Sequence, residues 1–224
     1  MINQELEALY KSNQKGINSL QKKDKNLDSL LLLKVWEEEY NASNKKILFI
    51  GKETNGWLGH YVIEVESLLD KYDEFELCKN GRKTTIWQQM YRFNKLVNRA
   101  ANSNKNFAWT NVSKSPDING TKLSHERFSA LINDFNVLAQ EIKILNPDVV
   151  IFLCGHAYDS RIRMQFEGNI EFEEVEAEIP VKQLAKLKHP SLPKHTYRTY
   201  HPGYLSRSKK LGYLDKIADR VLTD

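Results

Sequence analysis

The chain has 224 residues and carries 33 Lys+Arg against 29 Asp+Glu, a formal net charge of +4. At 41% hydrophobic and 28% charged it has enough apolar residues for a core and does not have the composition of a disordered chain. Two cysteines, Cys78 and Cys154, exclude a disulfide scaffold and any four-cysteine zinc or iron–sulfur site, and the six histidines show no paired metal spacing.

The first 45 residues read as helical, with one apolar stripe at Leu6, Leu9 and Tyr10 and a second helical run over residues 27–40. Residues 45–51 (KKILFIG) form a short apolar run bounded by polar residues, the pattern of a strand buried on both faces. A loop rich in turn formers follows, from Lys52 to Trp57. Helical spacing returns at 61–69 and 86–97, and residues 107–112 read as a second strand. Residues 124–145 carry apolar positions 128, 131, 132, 135, 138 and 142, one amphipathic helix capped by Ser124 and stopped by Pro147. Residues 148–154 are a third buried strand, Gly155–Tyr158 opens a further helix, 195–200 reads as a strand, and 208–222 as the last helix.

Strand, loop and helix in this alternation predict an α/β domain over residues 45–224 with a central, mostly parallel sheet, preceded by an N-terminal helical extension, 1–44. Ligands of such sheets sit at the carboxyl ends of the strands, which directs attention to the residues after Ile50, Thr110 and Leu153. The longest apolar runs, 30–33 and 149–155, fall far short of the ~20 residues of a membrane helix, and the acidic N-terminus is unlike a secretory signal. The expectation is a cytoplasmic monomer with no membrane association.

Charge is segregated along the chain. Residues 167–178 hold six glutamates and no base, whereas residues 181–210 hold eight Lys+Arg, three histidines and no acid. One reading is a solvated face with a lysine-rich loop; the other is a surface that meets a polyanion.

Four segments belong together: Gly51-Lys-Glu-Thr-Asn-Gly-Trp57, Thr110-Asn-Val-Ser-Lys114, Leu153-Cys-Gly-His-Ala157 and Thr199-Tyr-His-Pro-Gly-Tyr-Leu-Ser-Arg207. In this order they resemble the uracil-DNA glycosylase superfamily, over about residues 45–222. Tyr200-His-Pro-Gly-Tyr-Leu-Ser-Arg207 is similar to that family's Y-H-P-x-Y-L-x-R loop, and Thr110–Lys114 to its T-N-x-V-K segment. The resemblance implies a three-layer α/β/α sandwich and a hydrolase that flips a uracil-type or modified base from single- or double-stranded DNA. Water then cleaves the N-glycosidic bond, without cofactor or metal. The branch with the most similar His-Pro loop holds an iron–sulfur cluster, which two cysteines cannot build.

The resemblance gives the residues roles, each beside a plainer alternative. Glu53 orients water and stabilises a cationic sugar, or caps the following helix. His201 donates to the base carbonyl, or is structural. Asn111 reads the pyrimidine edge with its donor and acceptor, or caps a turn. Gly51 and Trp57 line the base pocket; the stacking aromatic is Trp57, Tyr61 or Trp109, with Trp57 preferred. Leu205 is the wedge that fills the gap left by the flipped base, or packs under the last helix, and Tyr204 stacks beside it. Arg207, Lys209 and Lys210 meet flanking phosphates. His189-Pro-Ser lacks the tail that follows His201 and is set aside. Thr54 stands where most relatives have proline, and Gly203 where serine or alanine is common. A catalytically silent member that binds nucleic acid or protein, and a hydrolase of small nucleotides, are the rival readings.

Overall fold

The computed structural model describes residues 1–77, 83–99 and 105–223; Cys78 lies outside them. Six strands make one sheet: β1 (Ile47–Gly51), β2 (Ala108–Asn111), β3 (Val149–Phe152), β4 (Glu171–Glu174), β5 (Leu184–Lys188) and β6 (His195–Thr199). Their order is β2-β1-β3-β6-β5-β4. The first four in that order are parallel, and β5 and β4 continue the sheet antiparallel. Strands β1, β2, β3 and β6 are buried along their whole length, as expected where helices cover both faces of a parallel sheet.

The helices are α1 (Ile2–Ser12), α2 (Gln14–Lys23), α3 (Glu37–Asn41), α4 (Val65–Phe75), α5 (Thr85–Val97), α6 (His125–Asp134), α7 (Leu138–Leu145), α8 (Asp159–Arg163), α9 (Pro202–Arg207) and α10 (Gly212–Thr223). One group packs α2 on α6 and α1 on α7; another packs α5 on α9 and α10. The three-layer α/β/α arrangement with its mostly parallel sheet is the architecture expected from the sequence. No helix among the described residues is long and apolar enough to cross a membrane.

Local differences have identifiable causes. Residues 27–36 are extended, not helical: Leu30, Leu31, Leu32 and Leu33 are all buried, which an amphipathic helix does not allow. This segment runs beside the chain after β2, with Leu31 N–H donating to Lys114 O at 2.7 Å and Asp28 N–H to Pro116 O at 3.2 Å. The single helix expected over 124–145 is two, α6 and α7, broken at 135–137. Phe135 and Leu138 keep the i, i+3 spacing across the break, so the hydrophobic period passes through it unaltered. Ser124 does cap α6, its Oγ accepting from Arg127 N–H at 3.2 Å. The last helix, expected at 208–222, is α10; it starts at Gly212, after a turn with Lys209 at φ 55°, and a short helix not expected from sequence, α9, precedes that turn from Pro202.

Strands β4 and β5 were not anticipated, and they account for much of the charge segregation. The acidic strand lies antiparallel to the basic one, with Glu171 opposite Lys188 and Glu173 opposite Lys186, and Lys188 Nζ lies 2.7 Å from Glu173 Oε1. Arg198 on β6 is buried and forks onto both carboxylate oxygens of Asp159 at 2.9 and 3.0 Å. The acid-free window of sequence is therefore partly neutralised in space.

Candidate active site

The carboxyl ends of β1, β2 and β6 converge on a cavity of about 450 Å³. It is lined by Gly51, Glu53, Thr54, Trp57, Trp109, Asn111 and His201, with Phe75, Ile86 and Trp87 on the aromatic side. Parallel pairing runs past the strand ends and fixes the loops against one another. Val112 N–H donates to Gly51 O at 3.0 Å, and Ser113 N–H to Lys52 O at 2.8 Å. Five of the residues expected at the site from sequence (Gly51, Glu53, Trp57, Asn111 and His201) thus share one pocket.

Gly51 and Asn111 are register partners at the ends of β1 and β2. The Asn111 amide lies so close over Gly51 that a Cβ there would meet it at 2.3 Å, so only glycine fits. Oriented to satisfy its neighbours, Asn111 Nδ2 donates to Thr110 O at 3.0 Å and its Oδ1 accepts from Thr54 N–H at 3.1 Å. One N–H and one lone pair are left for the cavity. A proline at 54 has no N–H to give, so the departure from the family's usual loop supplies the bond that fixes Asn111.

His201 is the N-cap of α9, with Pro202 in the first turn. Its Nδ1 accepts from Gly203 N–H at 3.1 Å. A Cβ on residue 203 would lie 3.2 Å from that nitrogen, so glycine eases the fold-back of the ring. Burial, with Lys52 and Arg207 nearby, lowers the His201 pKa to about 4. The imidazole is therefore neutral near pH 7, and since Nδ1 accepts, its proton sits on Nε2.

Glu53 Oε2 accepts from Tyr158 OH, which follows β3 by six residues. Burial first, then the bond to Glu53, raises the Tyr158 pKa beyond the usual phenol range and keeps it a donor. Three cations surround this tyrosine: Lys122 Nζ lies 4.4 Å from the ring centroid, Lys52 Nζ 5.8 Å and Arg161 Cζ 5.3 Å. Burial and Arg161 push Lys122 below the usual lysine range, with Glu53 opposing. Sequence reasoning pointed to the segment after Leu153 but gave no role to Tyr158, Lys122 or Arg161.

Two aromatic candidates are in the pocket and one is not. Trp57 and Trp109 line it; Tyr61 instead donates to Ile17 O at 3.1 Å on α2. The loop carrying Trp57 is anchored from the N-terminal segment. Buried Asp28 accepts the N–H groups of Trp57 at 2.6 Å, Leu58 at 3.2 Å and Gly59 at 3.0 Å.

Around α9 the expected roles separate. Leu205 is fully buried, whereas Tyr204 is 45% exposed. The helix starts at Pro202, a phase that turns residue 205 to the core and residue 204 outward, so Tyr204 and not Leu205 has the exposure a wedge needs. Tyr204 packs against Tyr200 with the rings tilted by 42° and 4.6 Å between centroids. Arg207 and Lys209 are exposed at the same helix, while Lys210 Nζ donates to Gln183 Oε1 at 2.6 Å. His189, set aside from sequence, lies far down the sheet edge, its Nε2 2.6 Å from Glu167 O. Among the described residues, no group of three or more His, Cys, Asp or Glu side chains is placed to hold a metal ion.

A family model described as the uracil DNA glycosylase superfamily matches residues 37–221. No curated protein matches the chain. The chain belongs to the uracil-DNA glycosylase superfamily.

Proposed function

We propose that this member of the uracil-DNA glycosylase superfamily is a monofunctional DNA glycosylase-like hydrolase that takes a flipped uracil-type or modified base into the 450 Å³ cavity. The observation that carries the reading is the convergence of Glu53, Asn111 and a neutral His201 on that one cavity.

Cleavage of the C1′–N bond sends the electron pair to the base and leaves an oxocarbenium-like sugar. His201 Nε2–H donates to the base oxygen on which charge develops, and does so without first losing a proton to solvent. Asn111 supplies its remaining N–H and lone pair to the base edge. Glu53 has Oε2 held by Tyr158, which leaves Oε1 to orient water, stabilise the cationic sugar and take the proton as oxygen bonds to C1′. The products are the free base and an abasic site. Tyr204 fills the gap in the stack, and Arg207 and Lys209 meet flanking phosphates.

The test is a panel of single- and double-stranded oligonucleotides carrying uracil or modified bases, developed by alkaline scission. Wild-type protein is expected to yield abasic product, with Glu53→Gln slower by about 10²–10⁴-fold and His201→Ala by about 10²–10³-fold, both still binding DNA. Normal DNA binding with no abasic product from any substrate would instead support the silent binding module.

A further inference from the structure

Tyr158 is buried and does not line the cavity, yet its OH holds the carboxylate on the cavity wall, donating to Glu53 Oε2. Three segments meet on this tyrosine. Glu53 comes from the loop after β1, Lys122 from the chain after β2, and Tyr158 with Arg161 from the chain after β3. Gly120 seats the second segment against the first: a Cβ there would lie 3.1 Å from both Asn55 Oδ1 and Gly56 N. Arg161 ties the third to the second, its Nη2 donating to Leu123 O and its Cζ lying 4.6 Å from the Phe128 ring centroid.

The charges here are out of balance. Arg161 is 3% exposed, its Nη1 has no hydrogen-bond partner, and no carboxylate pairs with it among the described residues. A buried guanidinium without an acid partner is unfavourable, and an apolar side chain of similar volume would suit the fold better. Lys122 Nζ, over the face of the same tyrosine, adds repulsion from Arg161. Glu53 is the carboxylate whose field offsets both cations. Fold stability does not account for two cations gathered on one ring; the carboxylate bonded to that ring does.

We propose that Tyr158 and Lys122 are positioning residues for Glu53, with Arg161 joining their segments: the tyrosine fixes Oε2, the cations hold the carboxylate's charge against it, and Oε1 keeps a single direction in the cavity. This rests on the glycosylase reading, in which Oε1 orients water, and adds residues outside the cavity on which that orientation depends. A glutamate free to rotate spreads over several rotamers, most of which take Oε1 off line. Misplacement by about 1 Å is enough to slow a reaction roughly 10²-fold.

Tyr158→Phe keeps the ring on which the cations pack and removes only the donor. On an oligonucleotide that wild-type protein cleaves, it is expected to lower kcat roughly 10²-fold with KM unchanged. Lys122→Gln should lower kcat about fivefold, and Lys122→Arg should restore it. Because Tyr158 acts through Glu53, Tyr158→Phe should cost nothing further in a Glu53→Ala protein. A further loss of similar size there, or an unchanged kcat in Tyr158→Phe or Lys122→Gln, overturns the proposal and leaves the hydrolase reading standing. Crystal structures of wild type and Tyr158→Phe give a readout that needs no activity, with Glu53 in one rotamer in the first and several in the second. One rotamer common to both overturns the proposal. A rotamer lost in the variant, with no base released by either protein, keeps the positioning of Glu53 and removes the hydrolase reading.

Discussion

Asp28 is a buried carboxylate with no salt-bridge partner among the described residues, yet four backbone N–H groups converge on it. Ser29, Leu58 and Gly59 donate to Oδ1 at 2.7, 3.2 and 3.0 Å, and Trp57 donates to Oδ2 at 2.6 Å. Asp28→Asn keeps the shape but replaces one oxygen by an amide that cannot accept. With Oδ1 retained, the Trp57 bond is lost outright, and a hydrogen bond to a charged group contributes about 1.5–3 kcal/mol. The other three fall from charge-assisted to neutral bonds, roughly half as strong, so about 4–7 kcal/mol in all is expected. For a chain of this size that corresponds to a melting temperature lower by about 8–28 °C in calorimetry. Base release should also weaken, because the 57–59 loop carries Trp57 on the cavity wall. Asp70→Asn, on the exposed face of α4, is the control, with a change of no more than about 0.5 kcal/mol. An Asp28→Asn protein melting within about 2 °C of wild type would refute the reasoning.

The pH profile of base release should reflect the lowered His201 pKa of about 4. Neutral imidazole is then present throughout pH 5–8 and is lost only as pH falls through about 4, so the His201 limb lies there; a limb near 6.5 would mean an unshifted, water-exposed ring. Salt dependence of oligonucleotide binding separates the two basic regions. Arg207→Gln with Lys209→Gln should flatten the log–log slope by about 1.5 units, while Lys186→Gln with Lys188→Gln, on the strand that faces β4, should leave it unchanged.

The strands that carry the site were the most legible part of the chain. Strands β1 and β3 are covered on both faces and therefore read as unbroken apolar runs, and the rule that ligands sit at the carboxyl ends of the sheet's strands directed attention to Glu53 after β1 and Asn111 at the end of β2. Edge strand β4 was illegible for the opposite reason: its residues, Glu171–Glu174, are largely exposed and are held by pairing to a basic neighbour, which has no hydrophobic period. The same pairing explains why charge blocks along the sequence overstate charge patches in space. Tyr158 escaped notice because its partner Glu53 is 105 residues away, a proximity only the sheet creates. The Leu205 assignment depended on helix phase, and a six-residue helix has too few turns to reveal its phase before its start at Pro202 is known.

The N-terminal residues do more than cover the sheet. Lys114 and Glu141 form an ion pair that is almost wholly removed from solvent, with side-chain exposures of 1% and 0%. Burial pulls Lys114 below the usual lysine range, so the pair persists only because its remaining valences are filled. Thr110 Oγ1 fills one on Lys114, and Tyr10 OH on α1 donates to Glu141 Oε1 at 2.7 Å while accepting from Leu33 N–H at 3.1 Å. One hydrogen-bonded chain thus runs from α1 through α7 to Thr110, the residue before Asn111. Asp28 makes a second tie, to the loop of Trp57. Both ties originate before residue 37, where the superfamily match begins. Two walls of the cavity are therefore held by residues outside the matched segment. On the proposed glycosylase reading, rigidity at the edge that would read the base is supplied by this chain's own N-terminal elements, and the sub-ångström placement that such a reaction needs would depend on them.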